Sequence, residues 1–173
     1  MAPKSAMSSM KSDAAKAFVT FRVTGDDLVP AELSALLEVR PTHAHRKDEA
    51  YSTGRSTVRP SSGLWMFSTD QLLLSDILDD HIKLAFMVLG LPGGRDSGRG
   101  ITADGAVKLL KLADFLRTRG YRATMTFFWH GAAQSRRPEL PEELVRLFDL
   151  IPIAVETDFD RDETTEARRT RAA

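Results

Sequence analysis

Two strict two-residue alternations constrain this chain more than anything else in it. From Phe18 to Thr24, the residues Val19, Phe21 and Val23 alternate with Thr20, Arg22 and Thr24. From Tyr121 to His130, the residues Tyr121, Ala123, Met125, Phe127 and Trp129 alternate with Arg122, Thr124, Thr126, Phe128 and His130. Successive side chains of a strand point to opposite faces, so each run is a strand with one apolar side and one mostly polar side. Such strands need a covering layer on the apolar side only. What meets the other side stays open at this stage. It is either a wet recognition face, or a second core closed by the helices in the middle of the chain, with Phe128 buried as part of it.

Helical spacing supplies the covering layer. Pro30 opens a segment in which Leu33, Leu36 and Leu37 recur at helical intervals, and Pro41 stops it. Two longer helices are predicted from about Ser75 to Leu89 and from about Thr102 to Arg119, where Gly120 is a natural C-cap. The glycine-rich stretch between them reads as a flexible loop. A further strand is predicted at Gly63 to Ser68. The stretch from Pro141 to Pro152 can be laid on Pro30 to Pro41 with both prolines, Glu and two Leu coinciding, which reads as an internal strand-helix-strand repeat. In that repeat Ile153 and Val155 point inward on a last strand. The segment Pro41-Thr42-His43-Ala44-His45-Arg46 takes the equivalent place, with Thr42 and Ala44 inward and His43 and His45 outward.

The predicted fold is therefore an α+β sandwich of ferredoxin-like arrangement: a mainly antiparallel sheet of four to five strands with helices on one face. One domain is expected over residues 18–159, between a polar tail at 1–17 and a charged tail at 160–173. At 173 residues and 42% hydrophobic content there is material for one proper core.

Composition removes several function classes. The formal net charge of +0 gives no overall field to draw in nucleic acid or an anionic membrane. With no cysteine there is no disulfide, no thiolate nucleophile and no Cys-based zinc site, which fits a reducing cytoplasm. No apolar run reaches the roughly 18 residues of a membrane span. The N-terminal stretch lacks the apolar core of a signal peptide.

Leu36-Leu37 leading to Pro41-Thr42, the basic pair Arg46-Lys47, the Gly63-Leu64-Trp65 strand and Asp79-Asp80-His81-Ile82 together resemble a bacterial family called domain of unknown function 4279. The resemblance extends over about Phe18 to Phe159. The chain departs from the family pattern at Asp48, where a glycine tends to follow the basic pair, and in the glycine-rich stretch at 90–100, which looks like an insertion. The resemblance implies a bacterial α+β domain and no established reaction.

Candidate chemistry is sparse. His43 and His45, two residues apart on a strand, share one face at about 6.6 Å between Cα atoms, close enough for two imidazoles to hold one ion. Zinc takes three or four ligands, and His130 and Glu156 complete the set if their strands run alongside at the same height. That defines one reading, a small metal-dependent hydrolase. The plain reading of the same residues is an exposed polar strand, with His81 a helix-surface or boundary residue. The glycine-rich stretch lacks the lysine and hydroxyl of a phosphate loop. Arg119-Gly120-Tyr121 begins like an RNA-recognition strand but places Ala123 where a stacking aromatic is needed. The basic stretch from Arg40 to Arg59 reads as solvated loop. Asp79-Asp80 and Glu142-Glu143 each point two ways on a helix, and Trp65 and Trp129 read as core anchors. No nucleophile elbow or H-E-x-x-H pair is present. The leading expectation is a non-enzymatic binding module. Its polar sheet face would carry Arg22, Arg122, Phe128, His130 and Glu156, and its partner would be a protein or a second copy of the chain.

Overall fold

The first alternation becomes the centre of a sheet. In a computed structural model that describes residues 16–54, 56–91, 103–132 and 135–161, strand β1 runs Lys16–Gly25. After it come helix α1 (Pro30–Leu37), strand β2 (His43–His45), a hairpin of β3 (Tyr51–Thr53) and β4 (Ser56–Val58), and strand β5 (Gly63–Ser68). Then follow α2 (Leu78–Leu89), α3 (Ala103–Arg119), β6 (Arg122–Gly131), α4 (Glu142–Asp149) and β7 (Ile153–Arg161). Five strands form one sheet in the order β2-β5-β1-β6-β7, antiparallel except for the pair β6 and β7. The protein is an α+β domain with a mostly antiparallel sheet.

The side-chain alternation is kept without a slip. Val19, Phe21 and Val23 of β1, Trp65 and Phe67 of β5, and Met125, Phe127 and Trp129 of β6 are buried on one side. Leu33 and Leu37 of α1, Ile82, Phe86 and Leu89 of α2, Leu112 and Leu116 of α3, and Leu144 and Phe148 of α4 join them in a single apolar cluster. Each such side chain, fully buried, contributes about 1.5–3 kcal/mol. All four described helices therefore lie on that side, and among the described residues no second core forms to bury Phe128. Polar ties fix the layers. Trp65 Nε1–H donates to Ser34 Oγ of α1 at 2.9 Å, and Tyr121 O–H donates to the Asp27 carbonyl at 3.1 Å. The Phe86 and Phe148 rings meet edge to face at 6.1 Å, joining α2 to α4.

Several expectations are corrected. Helix α2 starts at Leu78 instead of about Ser75. The Ser75 hydroxyl accepts from the Ile77 N–H and donates to Asp80, so its local bonds compete with helical ones and hold Ile77 extended. His81 is not at a surface or boundary: it is fully buried, its Nε2–H donating to the Ser75 carbonyl at 2.9 Å and its Nδ1 sharing a 2.8 Å hydrogen bond with the Thr69 hydroxyl. Thr69 in turn bonds the backbone of Val19, so this histidine joins α2 to β1. Ala44 lies on Trp65's side of the sheet as expected, yet is exposed because β2 is the edge strand. The stretch from Arg40 to Arg59 is not all loop but contains β2 and the hairpin. Strand β7 runs through Asp160 to Arg161, since its backbone ladder to His130 and Gly131 needs no apolar side chain to continue. The glycine-rich stretch after Leu91 and the two expected tails, apart from Lys16, Ala17, Asp160 and Arg161, lie outside the described residues. No helix among the described residues is long and apolar enough to cross a membrane.

Candidate functional site

The uncovered side of the sheet is a lattice of side chains whose rows follow from the register. The row nearest the Gly25 end of β1 reads His45, Leu64, Thr24, Arg122 across β2, β5, β1 and β6. The next reads His43, Met66, Arg22, Thr124, Ala154, and the third Ser68, Thr20, Thr126, Glu156. The last two are Phe18, Phe128, Asp158 and Lys16, His130, Asp160. Every residue proposed from the sequence for this face stands on it. Arg22 and Arg122 are exposed, and Phe128 and His130 are half-buried.

An aromatic pair occupies the fourth row. Phe18 and Phe128, directly opposite on β1 and β6, stack at 4.4 Å between centroids with 13° between planes. Lys16 places its ammonium 5.6 Å from the Phe18 ring. The Thr126 hydroxyl donates to Glu156 at 3.3 Å, and the Thr20 hydroxyl donates to Ser68 Oγ at 3.3 Å. Phe18 was not singled out from the sequence, although its parity with Thr20 already put it on this side.

At the β2 corner the hairpin adds Tyr51, whose ring stacks on His45 at 5.4 Å and meets His43 edge-on at 6.1 Å. The two imidazoles lie 5.4 Å apart. His45 Nδ1 is buried without a hydrogen-bond partner. Its pKa is lowered first by desolvation and then by His43, with Glu49 and a backbone hydrogen bond at Ser62 opposing. No pattern in the sequence announced Tyr51, which is delivered by a separate hairpin.

The four residues of the metal reading are not brought together. His43 and His45 lie on β2, three strands from His130 on β6 and four from Glu156 on β7, and in different rows. Among the described residues no group of three or more His, Asp or Glu could hold a metal ion. Two imidazoles alone fall short of the three or four ligands that zinc takes.

No curated protein and no solved structure matches the chain. A match to one family model covers residues 15–91, from β1 through α2, and stops well short of Phe159. That model is of the family described as "Domain of unknown function (DUF4279)", and the part it matches is a little under half of the chain.

Proposed function

We propose that this protein is a non-enzymatic recognition module that binds another protein through the open face of its sheet. The observation that carries the reading is the Phe18 and Phe128 stack, partly exposed among threonines and arginines on a face that none of the described helices covers. Large aromatics are costly to leave in water, and aromatic and Arg side chains are the usual anchors of interfaces. The cysteine-free composition supports a reducing compartment, the cytoplasm, as its place of work.

The finer architecture belongs to the same proposal. Strands β2-β5-β1-β6, with β5 between β1 and the β2 that follows α1, support a ferredoxin-like arrangement to which α4 and β7 are added. The units β1-α1-β2 and β6-α4-β7, with helices opening at Pro30 and just after Pro141, support a duplicated strand-helix-strand element.

The test is a comparative pull-down from the native cell extract. Wild type, Phe128→Ser and Leu110→Ser are used as baits, Leu110 being 68% exposed on α3. A partner held by wild type and Leu110→Ser but lost from Phe128→Ser supports the reading. Equal capture by all three baits refutes it.

A further inference from the structure

The open face carries two groups of charge that the described chain leaves uncompensated. Arg22 and Arg122 stand exposed in the two rows nearest the Gly25 end of β1, and neither makes an ion pair with a described residue. Glu156, Asp158 and Asp160 stand exposed on β7 in the three rows at the other end. Glu156 accepts from the neutral Thr126 hydroxyl and Asp160 from the Arg161 backbone N–H. Each row advances about 6.8 Å along a strand, so the centres of the two groups lie about 17 Å apart in that direction. That is twice the screening length of about 8 Å at physiological salt, so the groups do little for one another within one chain.

The same face turned over compensates both groups at once. We infer that the open face pairs with the open face of a second copy of this chain, about a two-fold axis crossing the strands near Thr126, so that the arginines of each copy meet the β7 carboxylates of the other. This rests on the reading of the face as a protein-recognition surface. An interface of this symmetry must be self-complementary, and a face of a single sign would repel its own copy. Here the arginines of the first two rows and the carboxylates that β7 adds to the last three meet the requirement, with Lys16 in the last row of the opposite sign to its neighbours on β7. The Phe18 and Phe128 pair of one copy falls over the arginine rows of the other, where a guanidinium on a ring adds a cation–π contact. Nineteen described side-chain positions make up the five rows of the face. At about 33 Å² each they cover about 600 Å² per copy. Two copies then reach the lower end of specific interfaces, about 1,200 Å² in total, so the dimer is reversible and salt-sensitive.

Sedimentation equilibrium on the full chain tests this with two double variants, Arg22→Glu with Arg122→Glu and Glu156→Lys with Asp158→Lys. Wild type is expected to dimerise, with a dissociation constant that rises between low and high salt. Each double variant alone is expected to lose at least about tenfold in self-affinity while keeping its circular dichroism and Tm. An equimolar mixture of the two, with complementary faces, regains dimer of the wild-type affinity. Wild type that stays monomeric overturns the inference, as does a dimer indifferent to the reversals or a mixture that fails to recover. A monomeric wild type whose partner in extract is still lost on Phe128→Ser removes only the second copy and leaves the recognition surface standing.

Discussion

Four residues show how far a side chain's consequence depends on what surrounds it. His81 and His43 are the same residue type, but His81 is fully buried with both ring nitrogens bonded and His43 is exposed. His81→Leu leaves the Ser75 carbonyl unpaired and is expected to cost about 2–4 kcal/mol in urea unfolding, whereas His43→Ala should stay within about 1 kcal/mol. His45 titrates below the ordinary histidine value of 6.5 because burial and His43 disfavour its charged form. The unfolded chain then takes up the proton first. The contribution of His45 to stability is therefore present above pH 6.5 and lost as pH falls through the lowered folded pKa. A urea midpoint that drops between neutral and mildly acidic pH in wild type, and drops less in His45→Asn, is the expected result. Equal drops would remove the account. Asp48, standing where the resembling family tends to carry glycine, sits at φ 59°, in the left-handed region. Glycine adopts that conformation freely, so Asp48→Gly should be neutral or stabilising by up to about 1 kcal/mol.

At the scale of elements, the Gly63-Leu64-Trp65 stretch divides its work by position. Trp65 enters the core and is tied to α1, Leu64 faces the open side, and Gly63 sits where β5 meets the turn after β1. A Cβ at Gly63 would stand 2.9 Å from the Gly25 carbonyl oxygen, from Leu28 Cβ and from the Leu28 carbonyl oxygen. Two of these contacts are backbone, which cannot swing aside as a side-chain tip can. Gly63→Ala is expected to cost about 1–3 kcal/mol by forcing that turn to shift, read as a lower Tm. A Tm unchanged within error would mean that β1 and β5 part more easily than this packing implies. The sharp ends of α2 and α3 have a simpler cause, Gly90 at φ 64° and Gly120 at φ 66°.

For the molecule as a whole, the consequence of one-sided helix packing is that neighbours in sequence live in different solvents. Phe127 is fully buried among the helices, while Phe128 is half-buried on the open face against Phe18. Phe127→Ser should cost about 3–5 kcal/mol. Phe128→Ser, which loses partial burial and one stacked pair, should cost about 1–2 kcal/mol. Chemical denaturation of the two variants checks this, and equal losses would mean that the open face is covered after all.

The sequence alone carried the strands of this face and their two sides, because a period of two is local and every residue from Val19 to Val23 and from Tyr121 to Trp129 except Phe128 obeys it. It also carried the helix stop at Gly120, and the outward placement of Arg22, Arg122, Phe128, His130 and Glu156 follows from the same parity; α1 ends before Pro41, at Leu37, where Glu38 takes the left-handed conformation at φ 57°. Tertiary structure decided the rest. Periodicity states which side of a helix is apolar but not which side of a sheet it will cover, so only the fold could choose between a wet face and a second core. Strand order is likewise non-local: it separated His43 and His45 from His130 and Glu156, and it brought Tyr51 to the two imidazoles. Burial of His81 depended on Thr69 and Ser75, 12 and 6 residues away along the chain and adjacent only once the loop between β5 and α2 had folded back.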